Sequence, residues 1–193
     1  MFAKILYLIL PILLGGLFNM IFVKIAFLNR LKVPLDGGAN WLDGKRVFGE
    51  NKTVKGFLGM IVFTSFWFTL FWWLAQAFAG AASLSLIPFR DFSAPMALLY
   101  GALWGFGYVL AELPNSWIKR RLDIAPGKNG AGVLRYVFVF FDQADSVLGC
   151  VLALQVFYQP PFALLVAIAA TAVAVHFGMN VLLYMLGLKK QYL

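Results

Sequence analysis

The sequence predicts an all-α polytopic membrane protein with five transmembrane helices, an outside N-terminus and two polar cytoplasmic loops. Three observations lead there. Of the 193 residues, 62% are hydrophobic and only 12% charged, about half the charged share that coats a soluble domain, and the mean hydropathy is +0.84. Five separate windows reach the ~20 apolar residues that a bilayer crossing needs. Sixteen Lys and Arg stand against eight Asp and Glu, a net charge of +8, and nearly all the cations fall on connections that five spans place on one side. The same composition excludes a water-soluble globule, a disordered tail and a disulfide-stapled secreted module. An apolar chain with surplus positive charge points to anionic lipid or phosphorylated small molecules, and nucleic acid is not expected as a partner.

Each span follows from its own stretch. The first window, about 6–25, is preceded only by Lys4 and has no small-x-small cleavage site before Lys24, so it reads as a retained span rather than a signal peptide. The connection after it carries Arg30, Lys32, Lys45, Arg46, Lys52 and Lys55. The second window runs about 57–79 and the third about 95–113. Lys119, Arg120, Arg121, Lys128 and Arg135 follow the third. The fourth, 133–158, and the fifth, 162–186, are separated by a tight uncharged YQPP turn at Gln159, and Lys189 and Lys190 close the chain. Only Lys4 and Arg90 fall on the other side, so the charge bias puts both basic loops in the cytoplasm. No internal repeat is evident, and one membrane domain, 1–193, accounts for the chain.

The acidic residues are few enough to take singly. Asp142 and Asp145 lie three apart in the fourth window, so a helix places both on one face, with Gly149 continuing it. Carboxylates this close repel unless a cation lies between them. A hard divalent ion, Mg2+ in a cytoplasmic phosphate site, suits such oxygen ligands. The alternative is that one Asp pairs with a base such as Arg135 and only ties helices together. Glu112, Ser116 and Lys119 follow i, i+4, i+7 and share a face, with Asn115 beside them and Pro114 able to kink the helix. Arg120 and Arg121 are explained as well by a positive-inside anchor.

The first loop reads PLDGGANWLDGKRVFGENKTVKGFLGM. Its glycines allow a close backbone approach to a ligand, Arg46, Lys52 and Lys55 supply phosphate-binding charge, and the start of the second helix near Thr53 favours an anion. A P-loop is rejected, because Glu50 and Asn51 interrupt the required G-K-[ST] ending. His176 reads as a packing residue or a ligand, Cys150 as apolar packing, and the aromatic run at 65–73 as lipid-facing or interfacial surface.

In order along the chain, these segments resemble the CTP-dependent lipid cytidylyltransferases. NKTVKGFLG at 51–59 is similar to the P-K-K-T-W-E-G-x-x-G element of bacterial phosphatidate cytidylyltransferases. Glu112, Ser116, Lys119 and Arg120 resemble their G-D-x-x-x-S-x-x-K-R signature, and 142–145 their closing D-R-x-D. Glu112 in place of Asp, Gln143 in place of Arg, a missing Pro-Gly-His-Gly-Gly segment and the small size depart from that pattern. The archaeal-type CDP-archaeol synthases fit better. Their PxDGG, DGKRxFGxNKTxxGF, SxxKRRLxIxPG and DxxDxxLG patterns appear here at 34–38, 43–57, 116–127 and 142–149.

That resemblance implies transfer of a cytidylyl group from CTP to a lipid phosphate for phospholipid biosynthesis, at a multi-pass site in the plasma membrane that faces the cytoplasm. It implies Mg2+ held by Asp142, Asp145 and Glu112, and catalytic roles for Lys119, Ser116, Asp142 and Asp145. CTP would be bound by Arg46, Asn51, Lys52, Thr53, Lys55, Asn115 and Arg120, while Asp36 and Asp43 are open to ribose, base or ion. Either a monomer or a homodimer is compatible with it. The other readings are a phosphatidate-using CDP-diacylglycerol synthase and a small cation or metabolite transporter. A CDP-alcohol phosphotransferase would need D-G-x-x-A-R, which Asp36-Gly37-Gly38-Ala39 begins and Asn40 breaks.

Overall fold

The computed structural model describes residues 1–185 and 187. Lys189 and Lys190, assigned above to the inner side, and the end of the fifth window at Leu186 lie outside the described residues. Five helices are long and apolar enough to cross a membrane: α1 (Phe2–Lys24), α2 (Val54–Ala77), α4 (Ala94–Arg121), α5 (Gly132–Leu154) and α6 (Phe162–Met185). A short α3 (Ala79–Leu84), which hydropathy did not suggest, and a 3-10 turn at Phe89–Asp91 lie between α2 and α4. Among the described residues there are no strands, only two isolated bridges, Pro34 with Thr53 and Asn40 with Arg46.

Two helix ends differ from the apolar windows for identifiable reasons. α2 starts at Val54 because the Thr53 hydroxyl accepts a 3.1 Å hydrogen bond from the Gly56 amide, capping the first turn. α4 continues through Pro114 to Arg121. Hydropathy falls after Leu113 because the last two turns carry the polar residues of an interior cavity, not because the helix ends.

The helices stack in the order α1, α2, α4, α5, α6, with α6 also touching α1. Glycines set the crossings, as expected where apolar burial gives helices no preference for one another over lipid. A Cβ built on Gly105 would stand 2.7 Å from Ile61 Cα on α2, and one on Gly149 only 2.0 Å from the Gly107 carbonyl oxygen. α4 and α5 therefore meet backbone to backbone just beside Asp145. The aromatic run at 65–73 is not simply lipid-facing. Phe66 and Trp73 are exposed, but Phe68 and Phe71 share the opposite face and are buried. Phe68 packs against Tyr100 and Trp104 at centroid distances of 5.7 and 5.0 Å.

Candidate functional site

Loop 25–53 and loop 122–131 meet over the polar ends of the helices. Lys45 Nζ donates to Asp123 (2.6 Å) and to the Arg121 carbonyl (3.0 Å), Arg121 pairs with Asp43 (2.8 Å), and Trp41 stands edge-on to Trp117. Below this roof lies a polar cavity of about 330 Å3. α4 contributes Glu112, Asn115, Ser116, Lys119 and Arg120, and α5 contributes Asp142, Gln143 and Asp145. Asn51 and Lys52 come from the first loop, and α6 adds His176 and Asn180.

The contacts are specific. The single amide nitrogen of Asn115 donates to both Asp142 Oδ1 (2.7 Å) and Asp145 Oδ2 (2.8 Å). Lys119 Nζ donates to both oxygens of Asp142 and to Asn129 Oδ1 (2.8 Å). Lys52 ion-pairs with Glu112 across the cavity. Burial disfavours the Lys52 charge, but Glu112, with Asp145 and Asp142 behind it, outweighs burial and holds the ammonium above its usual pKa. Asp142 thus pairs with Lys119, not with Arg135. Three carboxylates face three cations, so the cavity is nearly neutral and can exchange partners when an anion and a cation enter together.

Several expected ligands are engaged elsewhere. Arg46 lies outside the cavity, donating to Asp36 at 2.6 Å. Asp36 also accepts from the Gly38, Phe48 and Gly49 amides at 3.0 to 3.1 Å, which makes it the knot of the first loop. Burial would raise its pKa, yet the Arg46 and backbone hydrogen bonds hold it well below the carboxylate range. Asp43 accepts from the Lys45 amide and pairs with Arg121. Lys55 is fully buried, donating to the Ile25 carbonyl (2.8 Å) and Asn29 (3.3 Å) over the Phe22 ring, where it ties the end of α1 to α2. Thr53 serves as the α2 cap.

Glu112 lines the same cavity as the two aspartates but faces Lys52. Among the described residues no three His, Cys, Asp or Glu side chains are gathered to hold a metal ion; Glu112 is matched with Lys52. What fits Mg2+ is the pair. One amide nitrogen spans Asp142 and Asp145, so a single ion can take its place between two hard oxygen donors, and Mg2+ characteristically takes one or two carboxylates with phosphate and water completing its shell.

Sequence reasoning missed Asn129, which orients Lys119, and the link from α6. Asn180 donates to Gln143 Oε1 (2.6 Å), and His176 lies 3.3 Å from the Gln143 carbonyl and 3.4 Å from the Tyr108 hydroxyl. His176 and Asn180 are four apart on an otherwise apolar helix, and that spacing was the available signal. Two apolar cavities adjoin the polar one. A groove of about 830 Å3 between α4 and α5 shares Asn115 and Asp145 with it, and a smaller cavity of about 210 Å3 between α1, α4, α5 and α6 shares Tyr108, His176 and Asn180.

A family model described as CarS-like: CDP-archaeol synthase matches residues 1–193. A CDP-archaeol synthase of Archaeoglobus fulgidus is 31% identical over 163 residues, covering 81% of this chain and 82% of that protein. One from Methanospirillum hungatei is 29% identical over 170 residues, covering 82% and 88%. A solved structure of an intramembrane enzyme for archaeal membrane lipids biosynthesis superposes with a TM-score of 0.59 over 91% of this chain and 92% of that one. At 22% identity that likeness is one of fold.

Proposed function

The chain belongs to the CarS-like CDP-archaeol synthase family, and on that premise we propose that it is a Mg2+-dependent nucleotidyltransferase that joins CTP to an isoprenoid ether lipid phosphate. An oxygen of the lipid phosphate attacks the α-phosphorus of CTP, the bond to the β-phosphate breaks, and pyrophosphate leaves with the electron pair. A phosphomonoester has its second pKa near ~6 and is mostly dianionic at neutral pH, so the nucleophile needs no strong base. The task is to bring two anions together in line.

The observation that carries the reading is the position of Asn115 and Asp145, which line both the polar cavity and the α4–α5 apolar groove. A lipid phosphate whose chains lie in that groove presents its headgroup to the carboxylate pair. Bound Mg2+ would neutralise phosphate charge between Asp142 and Asp145. Lys119 and Lys52, each with three donors on a rotatable ammonium, then turn from their carboxylates towards the triphosphate. Asn115, whose amide holds the two aspartates where the ion would sit, and Ser116 beside it are then left to offer hydrogen bonds to a phosphate oxygen. The positive-inside rule supports a cytoplasmic cavity opening, where CTP is found.

The test is a panel of lipid phosphates given to the purified protein with CTP and Mg2+. Pyrophosphate release with the isoprenoid ether acceptor supports the reading. Preference for diacyl phosphatidate transfers it to the CDP-diacylglycerol alternative, and release with no acceptor at all sinks it.

A further inference from the structure

We propose that Trp41 and Leu42, at the tip of the first loop, form a lipid-contact surface that seats the outer edge of the roof in the interfacial layer of the bilayer. The tip is a built turn. A backbone bridge joins Asn40 to Arg46, the Trp41 amide donates to the Lys45 carbonyl (2.7 Å), and the Gly44 amide closes on the Trp41 carbonyl (2.9 Å). Gly44 has φ +77°, a conformation that favours glycine. Three ties then fix the tip to the end of α4. The Trp41 ring stands edge-on to Trp117 at 5.9 Å, Asp43 pairs with Arg121 (2.8 Å), and Lys45 pairs with Asp123 (2.6 Å). The height of the tip is therefore the height of Trp117.

The face of α4 that receives the tip is the lipid-facing one. Leu99, Phe106, Leu110 and Trp117 follow one another at spacings of 7, 4 and 7 and share a stripe, and the first three are exposed. The other faces are taken. Gly101 and Gly105 lie against α2 and Gly107 against α5, while Glu112 and Ser116 line the polar cavity. At about 100° per residue, Trp117 stands about 140° around the axis from Glu112.

The depth also fits. α4 begins at Ala94, just past Arg90 and Asp91. A hydrocarbon core of ~30 Å takes about 20 residues at ~1.5 Å each, so it ends near Pro114. Trp117 then lies about 5 Å farther on, inside the headgroup layer, where Trp is enriched. Trp41 is 48% exposed and Leu42 97%, which is unfavourable against water and favourable where an aromatic ring and an apolar chain meet lipid. The charges of the tip are already matched, Asp43 by Arg121 and Lys45 by Asp123. The contact is therefore apolar and insensitive to salt, unlike an electrostatic surface anchor.

The experiment places a nitrobenzoxadiazole label on Leu42→Cys in the full-length protein, reconstituted in phosphatidylcholine–phosphatidylglycerol vesicles. Cys150 is the single cysteine of the chain and is buried, so wild type serves as the labelling blank. Glu50→Cys, at an exposed charged position of the same loop, is the water reference. Phe66→Cys, exposed midway along α2, is the core reference. The label at 42 should emit to the blue of the label at 50 and resist aqueous iodide. Lipids brominated near the headgroup should quench it more than lipids brominated near the chain end, in low and high salt alike. Iodide quenching equal to that at 50 overturns the proposal. Chain-end quenching equal to that at 66 overturns the interfacial seat, and loss of protection in high salt overturns the apolar contact. Trp41→Phe gives a dye-free check. It should remove intrinsic emission that headgroup-end bromines quench, and removal of bromine-insensitive emission alone overturns the proposal. None of these readings depends on nucleotide turnover.

Discussion

Lys119 Nζ on α4 lies 2.7 Å from both carboxylate oxygens of Asp142 on α5. The Lys119 side chain is 9% exposed and that of Asp142 32%, so removing one member leaves a poorly hydrated charge. Lys119→Ala should destabilise the protein by about 1–3 kcal/mol, below the range for fully buried pairs because Asp142 keeps some solvent. Lys119→Met with Asp142→Leu should recover most of that loss while remaining inactive. Thermal unfolding in detergent of the single and double variants checks both statements.

The carboxylate pair and Glu112 should separate in a Mg2+ titration. Asp142→Asn and Asp145→Asn each remove a hard ligand and should raise the half-saturating Mg2+ at least ~10-fold or abolish activity. Glu112→Gln should leave that midpoint in place, because the Glu112 carboxylate is matched with Lys52 rather than with the ion. A Glu112→Gln midpoint shifted like that of Asp145→Asn would restore Glu112 to the metal set.

Gly149→Ala tests the helix crossing. The added methyl would meet the Gly107 carbonyl at 2.0 Å and Ala111 Cβ at 2.8 Å, forcing α4 and α5 apart next to Asp145. A loss of about 1–3 kcal/mol and most of the activity is expected. Gly178→Ala on α6, where a Cβ meets nothing within 4 Å, should be neutral or slightly stabilising.

These helix faces were legible because a helix fixes relative position from spacing alone. Residues 112, 116 and 119, and 142, 145 and 149, fall on their faces by the 3.6-residue period, and the structure sets the two faces against each other. The first loop carries no such rule. Arg46 and Lys55 look like Lys52 in sequence, but a chain reversal through left-handed glycines delivers Arg46 to Asp36, and capping of α2 at Thr53 turns Lys55 towards α1. Which cation meets which anion is a tertiary choice. The same holds for Glu112, whose pairing with Lys52 spans sixty residues.

The Asp36 knot gives a pH prediction for the loop. Its carboxyl is held below the usual value, so its contribution is complete above the unfolded pKa of ~3.9 and is lost as pH falls through the folded one. Tryptic cleavage at Lys45 and Arg46 should stay slow and nearly pH-independent from pH 8 down to about pH 5 once the enzyme's own profile is corrected. Asp36→Asn should speed cleavage throughout that range. Equal cleavage of Asp36→Asn and wild type would deny Asp36 this role.

The most direct measurement of the central claim uses protein in liposomes with CTP labelled at the α-phosphate, Mg2+ and an isoprenoid ether lipid phosphate. The account predicts that label enters the lipid with one pyrophosphate released per transfer, and that Asp145→Asn with a near wild-type melting temperature transfers none. Full transfer by both Asp142→Asn and Asp145→Asn would contradict it, as would wild-type protein that leaves all the label in water-soluble nucleotide.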